Sequence, residues 1–354
     1  MAFDSTKIVW GGREEQDGSE RSLYLDLFGG EVFEAFRESL IFKPLIMSKE
    51  LSNGRSFQFI HTGKMTSSYH TPGTNLLDSA TGDPPVAETT VTVDDLLTSQ
   101  AFFYNLDEKL RHYELRAPVA RQIGHALANR YDRILARVLA IAADDSADPT
   151  VTGVEPGFSV YLGVGNELDA QALVDGLFAA ATELDQRNAP QEGRHVVLSP
   201  AQYYKLISQV DTNILNRDFG NSQGSLNSGE GLYEIAGIKI HRSNNVPFLG
   251  KYGHAAGETI VNGTLATGLP TGAGTGVWGE RNNYGLATYF ANTCGLIFHR
   301  EAAACVHTIG PTVETTGQDT RVQYQGDLIV GKVAMGAAPV RTTVAGRLLN
   351  LATP

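Results

Sequence analysis

Several things whose presence would point to a function are scarce in this chain of 354 residues. Two cysteines, Cys294 and Cys305, are too few for a disulfide framework and suit a reducing compartment. No uninterrupted apolar run reaches the roughly 18 residues that a membrane helix needs. The opening stretch MAFDSTKIVWGG has neither the basic start nor the apolar core of a secretory signal, so neither a membrane partner nor export is expected. Positive charge is also short, with 28 Lys and Arg against 39 Asp and Glu and a net charge of −11. A protein that wraps nucleic acid needs clustered cations to neutralise phosphate. Any role near DNA is therefore containment, without sequence-specific binding.

What is present describes a folded chain. Apolar residues make up 42% and charged residues 19%, and the length suffices for about two domains with a sizeable core. The 38 glycines fall largely in tracts such as LATGLPTGAGTG, which read as loops.

One stretch, Ala117 to Asp144, organises the rest. Val119, Ile123, Leu127, Ile134, Val138 and Ile141 recur at spacings of three, four or seven, which predicts an amphipathic helix with one buried stripe. Pro118 suits the first turn, where its missing N–H is not needed. About 25 helical residues would make a rod some 35–40 Å long. Ile123, Leu127, Ile134 and Val138 are the expected core of this spine. Its other face carries Arg121, Arg130, Arg133 and Arg137, with Asp132 the only acid. That face is either solvated or covered by acidic surface from this copy or another.

Before the helix, residues 1–20 are polar and read as an arm. Val32, Phe33, Phe36 and Leu40 are expected on one face of a short helix that follows Gly29-Gly30 and ends before Pro44. From Glu50 to Asp94 the period becomes two. Phe57 and Phe59 alternate with Ser56 and Gln58, and Val91 and Val93 with Thr90 and Thr92, giving two strands around a tip of about 25 residues. Such a ribbon is marginally stable alone and needs a surface to lie on. Gln100 to Tyr104 reads as a strand and Asp107 to Tyr113 as a helical turn or two.

After the helix, ADDSADPTVTGVEPG marks a break. Asn166 and Asp169 suggest a capping box ahead of Leu173, Leu177, Ala181 and Leu184, a second amphipathic helix ending before Pro190. The strand HVVLS, a helix from Ser199-Pro200 to Ile207 and the strand IAGIKIH follow, which predicts a compact α/β domain. Asn262-Gly263 reads as a hairpin turn. The closing segments GLIFHREAAACVHTI and DLIVGKVAMGAAPV have strand character and are expected to pair beside the long helix.

Candidate chemistry is thin. Gly220-Asn221-Ser222-Gln223-Gly224 fits G-x-S-x-G but lacks the flanking strand and helix that a nucleophile elbow needs. Gly272, Gly274 and Gly276 lack the Lys-Ser/Thr of a phosphate-binding loop. Cys294, His299, Cys305 and His307 do not have zinc spacing, and the cysteines read as buried core. Asp94-Asp95 and Asp144-Asp145 are sequence neighbours that would point apart and not converge across a cleft. The sequon at Asn262 has no use without export. No catalytic residue, cofactor site or metal site is assigned.

Three segments taken together carry a resemblance: FGGEVFEAFRES, the pair SFQFI and TTVTVDDLLTSQAFFYNLDEKLRHYELR, and the closing DLIVGKVAMGAAPVRTTVAG. In that order, over about residues 23 to 346, they resemble the major capsid proteins of T-seven-like podoviruses, cyanophage types included. Leu27 to Val32, Tyr69 with Pro72-Gly73, Asp94 to Thr98, His112-Tyr113 with Arg116, and Lys332 with Ala334-Met335-Gly336 carry the closest matches. The resemblance implies an α+β Hong Kong 97-like capsid fold, with an N-arm (1–49), an extended β-ribbon E-loop (50–94) and a P-domain with its spine helix (95–160). An α/β A-domain (161–290) and P-domain return strands (291–354) complete it. It implies a structural protein, not an enzyme, located in the virion capsid and made and assembled in the bacterial host cytoplasm. The shell would hold pentamers and hexamers of this chain, form with scaffolding and portal proteins, and enclose packaged double-stranded DNA. The ribbon would lie on a neighbouring copy through Phe57, Phe59, Tyr69 and Pro72. A cargo-enclosing shell of the same fold and a soluble α/β hydrolase are the alternatives.

Overall fold

The computed structural model describes residues 31–65 except 38, then 67, 69–73, 75, 85–104, 116–144, 155–209, 234–246, 260–261, 264–265, 284, 293–315 and 324–352. In chain order the elements begin with helix α1 (31–37), strands β1 (Met47–Glu50), β2 (Ser56–Thr62), β3 (Val86–Thr92) and β4 (Leu97–Tyr104), and helix α2 (Arg116–Asp144). Next come β5 (Phe158–Tyr161), α3 (Ala170–Gln186), β6 (Arg194–Leu198), α4 (Pro200–Gln209), β7 (Glu234–Ile235) and β8 (Ile238–Arg242). The chain continues through β9 (Ile260–Val261), β10 (Thr264–Leu265), β11 (Thr293–His299), β12 (Ala303–Thr315), β13 (Gly326–Pro339) and β14 (Ala345–Leu349). β9 and β10 pair across the two residues Asn262 and Gly263, at the hairpin position that their sequence predicts. The expected arm (1–20) and the expected turn at 107–113 lie outside the described residues.

Two compact units divide the chain. The first collects the described residues of Met1–Leu40, Leu96–Tyr131 and Ile309–Met335. Here α2 is amphipathic: Ala120, Ile123, Gly124, Leu127, Ala128 and Tyr131 are buried, while Arg121, Gln122, His125 and Asn129 face solvent. The buried stripe takes α1 on one side, where a Cβ at Gly124 would meet the Val32 carbonyl oxygen at 2.6 Å. Only glycine permits that approach. Phe36 meets Tyr131 edge-on, with centroids 5.8 Å apart. Within α1, Val32, Ala35 and Phe36 are buried, but Phe33 is 48% exposed, contrary to the one-face expectation. A step of one residue turns a helix by about 100°, which carries Phe33 off the face that Val32 and Phe36 share. The stripe also takes β13, where a Cβ at Gly331 would stand 2.6 Å from Ile123 Cγ2. β13 pairs antiparallel with β4, from Gly326 opposite Tyr104 to Val333 opposite Leu97.

The second unit collects the described residues of Ile41–Asp95, Asp132–Thr308 and Gly336–Pro354. Its frame is a six-stranded sheet in the order β5-β14-β11-β6-β8-β7. Central β11 is buried at every residue, as a strand covered on both faces must be. Leu173, Leu177 and Leu184 of α3 are fully buried. Asp169, not Asn166, caps α3, accepting from Gln171 N at 3.3 Å, while Asn166 Nδ2 donates to Leu162 O at 2.9 Å. IAGIKIH is a hairpin and not one strand, because Ala236 and Gly237 both adopt positive φ, 52° and 76°, and reverse the chain between β7 and β8. β11 and β14 are central to this sheet, where their unbroken apolar character suits strands buried on both sides, and Arg347 of β14 pairs with Asp144 at the end of α2. β1 runs parallel to β12, from Met47 opposite Ala304 to Glu50 opposite His307.

In this unit α2 is no longer amphipathic. From Ile134 to Ala143 every residue is buried, Arg137 included, so the expected basic face exists only toward the N-terminal end. Ile134 and Val138 lie in this fully enclosed segment, and Arg130 and Arg133 are half-buried. Asp132 is completely buried and accepts from the Ile41 and Phe42 amides at 2.9 and 3.3 Å, tying the start of this unit to the helix. Burial drives its carboxyl up to about 7 against the opposing pull of those amides. A folded-state value raised from 3.8 means stability that is complete below 3.8 and is lost as pH rises toward 7. Asp132→Asn, which cannot ionise, should therefore gain stability relative to the native chain between pH 4 and 7, by on the order of a few kcal/mol, and no more above it. Calorimetric melting points across that range measure the slope. A pH-independent difference between the two proteins contradicts the assignment.

Candidate functional site

The segment that looks outward is the ribbon of β2 and β3. Seven residue pairs form it, from Ser56 opposite Thr92 to Thr62 opposite Val86, as a two-stranded sheet of its own. At its base the inward residues pack: Val91 is fully buried, Phe57 and Phe59 are half-buried and meet edge-on at 4.9 Å, and Lys49 Nζ lies 5.8 Å from the Phe57 ring. Farther along the ribbon, described apolar residues are exposed. Ile60 is 71% exposed and Tyr69 completely so, and Met65, Pro72 and Val86 are exposed as well. Of the four ribbon residues singled out from the sequence, Tyr69 and Pro72 are thus at the free end and Phe57 and Phe59 at the anchored end.

The anchorage is built by residues that no local pattern reveals. A Cβ at Gly336 would collide with the Thr92 carbonyl, so β13 passes the ribbon's root at backbone distance. Tyr284, fully buried, donates to Asp94 Oδ2 at 2.5 Å and accepts from Ala337 N at 3.0 Å. Asp94 is therefore a structural acceptor and not half of an acid pair. Lys64, beyond the end of β2, reaches Glu155 at 2.9 Å. Glu155 in turn sits 3.9 Å from Arg187 at the end of α3. These partners are 91 and 190 residues apart in sequence, which is why spacing gave no signal for them. An exposed pair such as Lys64–Glu155 is worth about 0–1 kcal/mol, enough to bias the ribbon but not to fix it.

The remaining candidates among the described residues are buried or paired. Cys294 and Cys305 are buried, and burial pushes the Cys294 thiol up to about 12, with Glu167 adding to the effect. Such a thiol is inert. Asp144 pairs with Arg347, whose Nε donates to Ser159 Oγ at 3.1 Å. Among the described residues no group of three His, Cys, Asp or Glu side chains is placed to hold a metal, and no helix is long and apolar enough to cross a membrane. Ser222 and its glycines, and the glycines at 272–276, lie outside the described residues.

One concentration of titratable groups was missed by the sequence reading. His195 on β6 and His241 on β8 face each other, Nδ1 to Nε2, at 3.1 Å. His299 at the end of β11 contacts the Glu192 carbonyl at 2.9 Å. Burial lowers all three, His195 to about 4, with the neighbouring charges of His241, Lys239, His299 and Arg300 adding to the effect there.

Comparison with known proteins places these features. A family model described as "Gp10A-like: Major capsid protein" matches residues 58–349. The major capsid protein of Enterobacteria phage T3 is 26% identical over 350 residues, which is 96% of this chain and 94% of that one. The capsid structure of the cyanophage P-SCSP1u superposes with a TM-score of 0.69 at 31% identity, covering 89% of each chain. The mature capsid of bacteriophage PhiM1 shares the fold at a TM-score of 0.63 and 16% identity, over 88% of both.

Proposed function

This chain belongs to the Gp10A-like major capsid protein family and forms, with copies of itself, the icosahedral shell of a phage head, and from that premise we propose how its parts divide the work. Its fold is the Hong Kong 97 capsid fold, its place is the virion capsid, and its family is structural and not enzymatic.

The ribbon, residues 50–94, is the E-loop and lies on an adjacent subunit, with Phe57 and Phe59 setting its root and Tyr69 and Pro72 reaching the neighbour. The observation that supports this is the exposure of Ile60, Met65, Tyr69 and Val86 on a two-stranded sheet. Two strands are marginal in water, and a covering surface supplies the missing burial. Residues 1–49 act as the N-arm. The first part of α2 with β4, the last part of β12 and the first part of β13 acts as the P-domain. The α/β body acts as the A-domain that meets its equivalents at the centres of pentamers and hexamers, and β11 and β14 belong to it. A closed shell needs one surface to make several heterologous contacts, and a lapping ribbon tolerates the changes of angle between them.

Assembly runs on a scaffolding protein around a portal, and the shell encloses double-stranded DNA held by containment. The net charge of −11 supports contact without adhesion. Entry of DNA drives a rigid-body and hinge change in which ribbon and spine move. Electron microscopy of the purified protein tests the reading: closed particles of uniform size are expected. A chain that stays monomeric at high concentration, with the ribbon protected from hydrogen exchange by its own body, overturns the E-loop assignment.

A further inference from the structure

The facing imidazoles of the α/β body have no part in the scheme above. β6 and β8 are parallel neighbours, with His195 opposite Lys239 and Val197 opposite His241, so His195 and His241 lie on one face of the sheet, one step apart along the strands. Both are half-exposed. Their backbones are fixed by a sheet whose adjacent residues Val196, Val197 and Ile240 are buried, and the His195 ring also lies against Phe298 at 6.1 Å. The two strands therefore hold the His195 and His241 backbones in fixed register, with Nδ1 3.1 Å from Nε2.

From this geometry we infer that His195 and His241 form a two-nitrogen chelating site for a borderline divalent transition metal, Zn²⁺, Ni²⁺ or Cu²⁺. Two nitrogens bound to one such ion at about 2.0–2.1 Å, with an angle of roughly 90–110° between them, stand about 2.9–3.4 Å apart. The observed 3.1 Å falls inside that span, so turning the two rings about their χ2 bonds lets both lone pairs meet one ion without moving either strand, the proton of the shared N–H passing to the other nitrogen of its own ring. Because the folded protein disfavours protonation of both rings, they are neutral ligands at pH 7 and protons compete weakly. No third protein ligand is in place among the described residues. The other positions go to water or an anion, and the nearby cations Lys239 and Arg300 favour the anion while limiting affinity for the dication.

Calorimetric titration of the full, EDTA-treated chain with ZnCl₂ or NiCl₂ should give one ion per chain. With CuSO₄, electron paramagnetic resonance should show two equatorial imidazole nitrogens. His195→Gln and His241→Gln should each weaken binding by about tenfold or more and remove one nitrogen from the spectrum, whereas His125→Gln should change neither. If those variants fail to fold, Zn²⁺ should still protect His195 and His241 of the native chain from diethyl pyrocarbonate, as read by mass spectrometry. Binding that is absent at millimolar metal, equal affinity in both histidine variants, or modification unaffected by Zn²⁺ overturns the site.

Discussion

A chain in which residues 62–86 are exchanged for Asn-Gly folds and yet closes no shells. The exchange is chosen from the register of the ribbon. His61 stands opposite Ala87, so a two-residue turn between them keeps every pair from Ser56–Thr92 to His61–Ala87. The base is therefore intact, including buried Val91, the Phe57–Phe59 contact and the hydrogen bonds of Tyr284. Among the described residues, what is lost inside the subunit includes the last ladder pair Thr62–Val86 and the exposed Lys64–Glu155 pair, the latter worth about 1 kcal/mol at most. What is lost for the proposed contact between subunits is the exposed stretch with Met65, Tyr69, Pro72 and Val86. The melting temperature should hardly move, while particle counts by electron microscopy fall to background. Particles of native size and number would remove the ribbon from the assembly mechanism.

The opposite separation, loss of folding itself, follows from Ile123→Asp or Leu127→Asp. These side chains are 3% and 2% exposed and lie against Gly331 of β13, where a Cβ would stand 2.6 Å from Ile123 Cγ2 and 3.2 Å from Leu127 Cδ1. Aspartate there leaves a cavity and an unpaired charge, together on the order of 5 kcal/mol or more, which is most of what a domain has. Soluble protein should disappear from expression, and circular dichroism of any refolded material should show no cooperative transition. Arg121→Asp, two residues earlier on the solvent side, should change stability by about 0.5 kcal/mol or less. An Ile123→Asp chain with a native melting curve would contradict the packing of α2 in the first unit.

Periodic segments were legible in the sequence, and so was their order. The alternation around Phe57 and Val91 gave the ribbon, and the three-and-four spacing of Ile123, Leu127, Ile134 and Val138 gave the spine, because each period is set by local backbone geometry. The same logic failed where burial is not one-sided. Arg137 and Asp132 read as surface charges on a helical face, but that half of α2 is enclosed on all sides, and enclosure depends on segments remote in the chain. β11 read as a strand but gave no indication of which sheet it joins, since an apolar strand buried on both faces has no polar edge to orient it, and β14 was not read as a strand at all. The ribbon's free end was visible as a loop rich in Gly, Pro, Ser and Thr. Its anchorage through Gly336, Tyr284 and Glu155 was not, because none of them is near it in sequence.

Composition and periodicity by themselves thus determined an α+β chain with a two-stranded ribbon and a long spine helix, and the collinear motifs carried its resemblance to shell proteins. They act through short-range propensities and overall charge, which one strand of sequence carries complete. Tertiary structure alone decided that Asp132 is a buried acid, that the ribbon is pinned at its root while Ile60, Met65, Tyr69 and Val86 stand exposed, and that His195 and His241 meet nitrogen to nitrogen. Each of these is a distance between residues brought together only by the closing of a sheet or the packing of a helix, and no spacing along the chain encodes such a distance.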